Sequence, residues 1–198
     1  MDVFEAIGTA IAMRSFTPEP VPDESVEKVL WAATRASNPG NSQPWDFVVV
    51  RSAKQRVRIG EAMREDRRID PEAIDVPEDP SARRTVLGAM HLVQNFGDVP
   101  VLIFICGANI YPPDAPNEAA MLSALHAAGQ NLLVAARALG LGAAFTTLHK
   151  LAEPAIRKIL GIPEDRVIGV TVALGWPGKP FTQMTRKPLD EVVHVDRW

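Results

Sequence analysis

The sequence predicts an α+β protein, or a mixed α/β fold with helices layered on a sheet, for two reasons. Helix-type and strand-type segments alternate irregularly, and the helical segments dominate. The strand-type segments are short apolar runs, and the run at residues 167–174 is rich in β-branched side chains. We find no internal repeat and no linker, so we expect a single domain that spans residues 1–198.

Capping residues, glycines and prolines set the predicted helix boundaries. Asp23 and Ser81 are predicted N-caps, and Asn117 caps a long helix that stops before Gly140. Proline-rich residues 18–22 form an extended arm between the first two helices. The predicted helices cover residues 2–13, 23–33, 53–66, 81–96, 117–139 and 150–160.

The predicted strands are residues 47–50, 101–106, 143–147, 167–174 and a short last strand at 191–196, and we expect the strand at 47–50 to be buried. Residues 101–106 read as the central strand, in which Cys106 is a buried side chain and not a nucleophile. Residues 67–80 carry prolines among charges and predict a surface loop that could act as a lid. Residues 109–116 form a second candidate lid.

Composition and charge narrow the class of partner. The net charge is -3 and there is no basic stripe, so we expect no nucleic-acid partner. The acidic start of the chain does not resemble a signal peptide, which predicts a cytoplasmic location. The apolar stretch at 119–145 contains His126, Gln130 and Arg137, which favours a buried core helix, with His126 in the core, over a membrane span.

Motifs for protein-borne catalysis are missing from the sequence. The run Gly140-Leu141-Gly142 follows a helix, whereas a dinucleotide fingerprint follows a strand, so a helix C-cap is the better interpretation. The histidines have no spacing suited to a metal, and there is no Gly-x-Ser-x-Gly elbow. If the protein is an enzyme, a bound organic cofactor must therefore carry the chemistry, with no catalytic side chain and no metal.

The most informative segment is the polar loop at residues 36–45, which runs into the first strand. Its amide and hydroxyl groups stand beside the indole of Trp45, a mixture that suits a planar ligand rich in heteroatoms. Ordinary turn chemistry, with Trp45 packed under the loop, is the competing interpretation.

This loop resembles the Asn-x-Gln-Pro-Trp-x-Phe pattern of the nitroreductase family of flavin-dependent oxidoreductases. Asn41, Gln43, Pro44, Trp45 and Phe47 stand at its positions. Further similarities follow in order along the chain, at residues 13–22, 130–142, 160–163, 174–177 and 186–194.

The resemblance implies a mainly antiparallel mixed sheet flanked by helices, in an intertwined homodimer whose C-terminal arm reaches the partner. It also implies FMN bound between the subunits, reduced by NADH or NADPH and reoxidised by a nitroaromatic or quinone acceptor in a two-step exchange at flavin N5. Two alternatives remain open at this point: a flavin-storage protein, and another flavin reaction on the same fold, such as reductive dehalogenation.

Site residues are carried over from the family by position. Arg14 and Arg186, and more weakly Lys187, match cations that bind the phosphate. Asn38 and Asn41 match the loop beside the pyrimidine edge, which comes from the partner subunit. The backbone of Phe145, Thr146, Thr147 and Leu148 matches the segment that donates to N5. Ser15, Pro39, Ser123 and Gln130 are further candidates beside these segments.

The sequence departs from the family where the phosphate would bind. Family members carry basic residues and a serine just before Arg14, whereas this chain has Ala10, Ile11 and Ala12. Each lost charged hydrogen bond costs on the order of 1.5–3 kcal/mol, which is roughly a ten- to hundredfold loss of affinity. Either other cations compensate, or FMN is held loosely, or the site prefers a different flavin.

Overall fold

The computed structural model describes residues 1–65 and 75–198. Its helices are α1 (Val3–Thr9), α2 (Asp23–Ala33), α3 (Ala53–Arg64), α4 (Pro80–Gln94), α5 (Glu118–Ala138) and α6 (Glu153–Leu160). Its strands are β1 (Trp45–Val50), β2 (Val101–Gly107), β3 (Gly142–Thr146) and β4 (Val167–Gly175). The predicted α+β class is confirmed.

The four strands form one antiparallel sheet in the order β1-β2-β4-β3. All seven residues of β2 are buried, so helices cover both faces of the sheet at its centre. Val101, Ile103 and Ile105 pack into one core with α2 and α5. The alternate residues of β2, beginning with Leu102 and Phe104, pack into a second core with α3, α4 and α6.

Several sequence-based boundaries are wrong at helix starts. Asp23 does not cap α2, because Pro22 is the N-cap and Asp23 forms an ion pair with Arg51. Ser81 does not cap α4, because the Asp79 carboxylate accepts from the amides of Ser81 at 3.1 Å and Ala82 at 2.8 Å. The predicted cap at Asn117 is confirmed, since its side chain accepts from the Ala119 amide.

Other corrections follow from tertiary contacts. Helix α1 ends at Thr9 and not at residue 13, because the Met13 amide donates to the Ala143 carbonyl of β3 at 2.9 Å. Strand β1 is half-exposed, since it lies at the sheet edge, and only Val50 in it is buried. His126 is exposed and does not lie in the core.

The remaining corrections lie in the last third of the chain. The predicted helix at 150–160 divides into a 3-10 turn at Leu148–Leu151 followed by α6. The predicted strand at 191–196 is absent from the described residues, where a 3-10 turn at Leu189–Glu191 leads into an exposed tail. Residues 67–74 of the first candidate lid lie outside the described residues, and Pro80 already belongs to α4.

A buried histidine ties the chain after β3 to β4. His149 is fully buried; its Nε2 lies 3.0 Å from the Ile168 carbonyl oxygen and its Nδ1 lies 3.1 Å from the Thr171 hydroxyl. A carbonyl only accepts, so the partners assign the hydrogen to Nε2, and the Thr171 hydroxyl donates to Nδ1. Burial lowers the pKa of His149 below its ordinary value, against smaller opposing effects of the Ile168 hydrogen bond and Glu153, while Lys150 lowers the pKa further.

This histidine predicts a specific pH dependence of stability. The folded-state pKa lies below the unfolded value of about 6.5, so as pH falls the unfolded chain takes up the proton first and stability is lost below that value. The loss is at most about 1.4 kcal/mol per pH unit. From about pH 7.5 to about pH 5.5, we expect the urea midpoint of the wild type to fall more than that of His149→Gln, whose amide can still donate to Ile168. An equal fall in both proteins would contradict this role for His149.

Candidate functional site

A cavity of about 630 Å³ lies between residues 11–14, the start of α4 and the C-terminal arm. The arm, residues 177–186, runs along the N-terminal segment of its own chain. The Gly178 amide donates to the Ser15 carbonyl at 2.8 Å, and the Met184 amide donates to the Gly8 carbonyl at 3.0 Å. This pairing places Arg186 on the same cavity as Arg14.

Arg14 is a half-buried cation that lines this cavity and also a smaller neighbouring space, which Asp98 lines as well. Among the described residues, its guanidinium forms no hydrogen bond or ion pair, and burial lowers its pKa below the ordinary value. Gly88 of α4 makes room for it, because a Cβ there would lie 3.2 Å from Arg14 Nη1. Arg14 is thus held in place by packing while its charge stays uncompensated, as expected of a group that binds an anion.

Arg186 is more exposed than Arg14, Ser15 lines a neighbouring space, and Lys187 does not line the cavity. The guanidinium of Arg186 is exposed and donates to the Thr185 carbonyl at 2.8 Å, next to the cavity. Ser15 lines a smaller neighbouring space of about 180 Å³ that Arg14 shares. Lys187 is exposed and belongs to none of these cavity walls.

The two asparagines of the polar loop differ in what their side chains are free to do. Asn38 accepts from the Gln43 amide at 2.8 Å and donates to the Ala36 carbonyl at 3.3 Å, so its side chain is used to close the turn. Asn41 has a positive φ of 49° and is exposed, and its side-chain amide has no partner among the described residues. Of the two, only Asn41 therefore has donors and an acceptor to offer a ligand.

The conformation of the polar loop depends on Gly40, which lies against the Tyr111 ring. Pro39, Gly40 and Asn41 form a 3-10 turn in which Gly40 has a φ of +59°. A Cβ at Gly40 would lie 2.2 Å from the Tyr111 ring, so only glycine allows this approach. Tyr111 belongs to the second candidate lid, which therefore packs on the polar loop.

The segment after β3 presents one free backbone donor. Thr146 is buried, and its hydroxyl accepts from the Leu148 amide at 3.1 Å. Thr147 is exposed, and its amide hydrogen has no partner among the described residues. Because the buried His149 holds the following backbone, this donor sits on a rigid support.

Phe145 and Gln130 lie where α5 passes β3. A Cβ at Gly129 would lie 2.8 Å from the Phe145 ring, and the His126 ring is 5.7 Å from it, centroid to centroid. Gln130 is exposed and its side-chain amide has no partner among the described residues. The Ser123 hydroxyl instead donates to the Ala120 carbonyl at 2.8 Å, within its own helix.

The predicted residues thus fall into three groups within one chain. Arg14 and Arg186 share a cavity beside the start of β3, Thr147 follows the end of β3, and Asn41 precedes β1 on the far edge of the sheet. Strand β3 is an edge strand, and at its outer edge the described residues pair only through the bridge from Ala12 to Ala143. The cations and the Thr147 amide thus lie toward opposite ends of one edge strand.

Sequence reasoning missed one wall of the cavity. Ser81, Arg84 and Thr85 of α4 line it, together with Lys179 of the arm. The only signal in the sequence is a pair of arginines near a helix start, which is common on solvated helices. Their proximity to Arg14 arises only when α4 packs across residues 11–14.

The described part of the chain also shows what it offers to a metal ion and to a membrane. No group of three or more His, Cys, Asp or Glu side chains there is placed to hold a metal ion. One helix in that part, α5, is long and apolar enough to cross a membrane by length and composition. In this fold, its Met121, Leu125 and Leu132 are buried in the core.

Comparisons with known proteins agree on the family. A curated protein of Archaeoglobus fulgidus, named "Putative NADH dehydrogenase/NAD(P)H nitroreductase", is 28% identical over 204 residues, covering 100% of this chain and 99% of its own.

Two solved structures share the fold. A nitroreductase with bound FMN from Desulfitobacterium hafniense has a TM-score of 0.74 at 20% identity, covering 99% of this chain and 100% of its own. An iodotyrosine deiodinase bound to FMN and 3-iodo-L-tyrosine has a TM-score of 0.78 at 18% identity, and the match covers 100% of both chains. At these identities the likeness shows the fold alone.

The sequence pattern of the Nitroreductase family matches residues 11–176, which include the polar loop, the whole sheet and Arg14. The chain therefore belongs to the Nitroreductase family, a family of oxidoreductases.

Proposed function

We propose that this protein is an FMN-dependent oxidoreductase that uses NADH or NADPH to reduce nitroaromatic or quinone-type acceptors. The observation that carries the proposal is the layout along β3, in a chain that belongs to the Nitroreductase family. Among the described residues, cations without an ion pair lie beside the start of the strand, and a backbone amide without a hydrogen-bond acceptor follows its end. This donor set fits a ligand with a phosphate at one end and a polar ring edge at the other.

Each group has a role that matches its chemistry. Arg14 and Arg186 hold the phosphate, because a guanidinium offers several donors in a fixed plane. The Thr147 amide donates toward N5 and stabilises negative charge there without a titrating side chain. Asn41 of the partner subunit contacts the pyrimidine edge, for which its unused amide group is suited, while Asn38 and Pro39 shape that loop.

Bound FMN would supply the redox chemistry, with hydride from NADH or NADPH in one half-reaction and reduction of the acceptor in a second at the same site. The chain contributes by binding and orienting the ring. Because Thr146 is buried and His149 is fixed on β4, the Thr147 donor keeps its position as charge develops next to it.

A second function, flavin storage with little turnover, is favoured by one observation. Ile11 and Ala12 line the cavity with apolar groups where the family carries a cation and a hydroxyl. Storage would need a bound flavin but no reaction with nicotinamides. The other flavin reactions considered above have no comparable support from the described residues.

We further propose that the working form is a homodimer. The tail after Pro188 exposes apolar side chains, with Leu189 at 77%, Val195 at 75% and Trp198 at 99% exposure. Helix α1 adds Phe4 at 82% exposure. Exposed large apolar side chains that lie close together mark interaction surfaces, and a second copy would also supply the Asn41 loop that one chain holds away from its own cavity.

The absorption spectrum of the bound flavin tests the proposed function. Protein purified with FMN should be yellow, and adding NADH or NADPH without oxygen should bleach the flavin absorption within the time of turnover. A nitroaromatic or quinone should then restore the oxidised spectrum. If the loaded protein keeps its oxidised spectrum with both nicotinamides, the reductase assignment is wrong and storage is favoured.

A double variant of the tail tests the proposed homodimer. Aspartates at positions 193 and 195, in a Val193→Asp, Val195→Asp double variant, would bury two charges if the tail lies on a partner. We expect the dimer dissociation constant in sedimentation to rise at least about tenfold, which is roughly 1.4 kcal/mol, and FMN affinity to fall with it.

The matched control for the dimer is Val57→Asp. Val57 is 47% exposed, but it lies on α3, which packs with α4 and α6 and is far from the tail in sequence. The Val57→Asp variant should leave both the dimer dissociation constant and the FMN affinity unchanged. A double variant that sediments as the wild type does would contradict the proposed role of the tail.

A further inference from the structure

We propose that helix α4 provides a replacement phosphate-binding wall, in which Ser81 and Arg84, together with Lys179, contact the phosphate monoester of the bound flavin. These residues would take the place of the cation and hydroxyl that Ile11 and Ala12 lack. The inference rests on the proposed function, because it names residues for one end of the same ligand.

The first support is the charge of the cavity. Four of its lining residues are basic, namely Arg14, Arg84, Lys179 and Arg186, and no Asp or Glu is among the lining residues of the described chain. Cations gathered around one space repel each other unless an anion is shared between them. A phosphate dianion is the ligand that best offsets such a cluster.

The second support is that these groups are free to bind. Among the described residues, neither Arg84 nor Lys179 has a hydrogen bond or ion pair, and the Ser81 hydroxyl has no acceptor. The Asp79 carboxylate, two residues before Ser81 in the chain, is used to cap α4 through the amides of Ser81 and Ala82. The Thr85 hydroxyl donates to the Ser81 carbonyl at 3.1 Å, so Thr85 lines the cavity but offers no spare donor.

The third support is the geometry of the helix. Ser81, Arg84, Thr85 and Gly88 are spaced i, i+3, i+4 and i+7, which places them on one face of α4. Gly88 marks where this face meets Arg14, since a Cβ there would lie 3.2 Å from Nη1 and 3.3 Å from Cδ of Arg14. The contact brings Arg14 and Arg84 onto a common ligand from two different elements.

Arg83 provides a matched control on the same helix. It has the same charge and is exposed like Arg84, but it does not line the cavity. Arg83→Gln and Arg84→Gln therefore remove the same charge at adjacent positions, and only one of them removes a contact to the proposed ligand. Their unfolding midpoints should agree, since neither arginine has a partner in the described chain.

The experiment measures dissociation constants for FMN and for riboflavin, which lacks the phosphate, with wild type and both variants at one salt concentration. For Arg84→Gln we expect FMN to bind about ten- to hundredfold more weakly, with riboflavin affinity within about twofold of wild type. Arg83→Gln should resemble the wild type with both flavins. Ser81→Ala should weaken FMN in the same direction but less.

Three results would overturn the inference. One is an equal effect of Arg84→Gln and Arg83→Gln on FMN, and another is an equal loss of FMN and riboflavin. The third is a change confined to the KM for NADPH, with NADH and FMN unaffected, which would assign the wall to the nicotinamide's phosphate instead.

A failure of the proposed function has a different signature. Wild type would then bind neither flavin. In that case the flavin-free protein is titrated with inorganic phosphate against chloride at equal ionic strength. Phosphate should raise the unfolding midpoint of wild type and Arg83→Gln but not of Arg84→Gln; without that difference, the replacement wall is rejected as well.

Discussion

Burial of the sheet on both of its faces is the constraint on which the rest of this structure depends. Every side chain of β2 is inaccessible, and alternate residues along it enter two separate cores built by different helices. Such a strand has no position for an unpaired polar group, because each one would lose its hydration without compensation. Binding groups must therefore lie at strand ends, on the outer edge of β3, or on the segments that cover it.

Residues 11–14 and the arm approach β3 closely because a glycine stands where they contact the strand. A Cβ at Gly142 would lie 2.5 Å from the Met13 side chain and 3.5 Å from Cα of Pro177, where the arm begins. These approaches bring residues 11–14 and the arm against the edge strand and leave Arg14 between them and α4. The buried pair of His149 and Thr171 does the same for the other end of β3, holding backbone where the proposed site needs a rigid donor.

Local patterns were a good guide wherever local physics decides the outcome. The central strand, the long helix capped by Asn117 and the glycine stops at Gly140 and Gly161 depend on periodicity, capping and positive φ, all of which are read from neighbours in sequence. The sequence-based predictions are wrong where contacts with residues distant in sequence determine capping or burial. Asp79 and not Ser81 caps α4, and Ser81 lines a cavity. Strand β1 is an edge strand, and His126 is exposed because the described residues leave its face of α5 uncovered.

By itself, the sequence determined the α+β class, the order of its elements and the resemblance of the polar loop and Arg14 to a flavin-binding family. Only the tertiary structure decided that Asn38 is used within its own turn, while the Asn41 side chain has no partner among the described residues. It also decided that α4 adds Arg84 to the cavity that the apolar Ile11 and Ala12 line. The reason is physical. Hydrogen-bond satisfaction and charge balance depend on which groups come together in space, and residues 14 and 84 line one cavity only after α4 packs against Arg14.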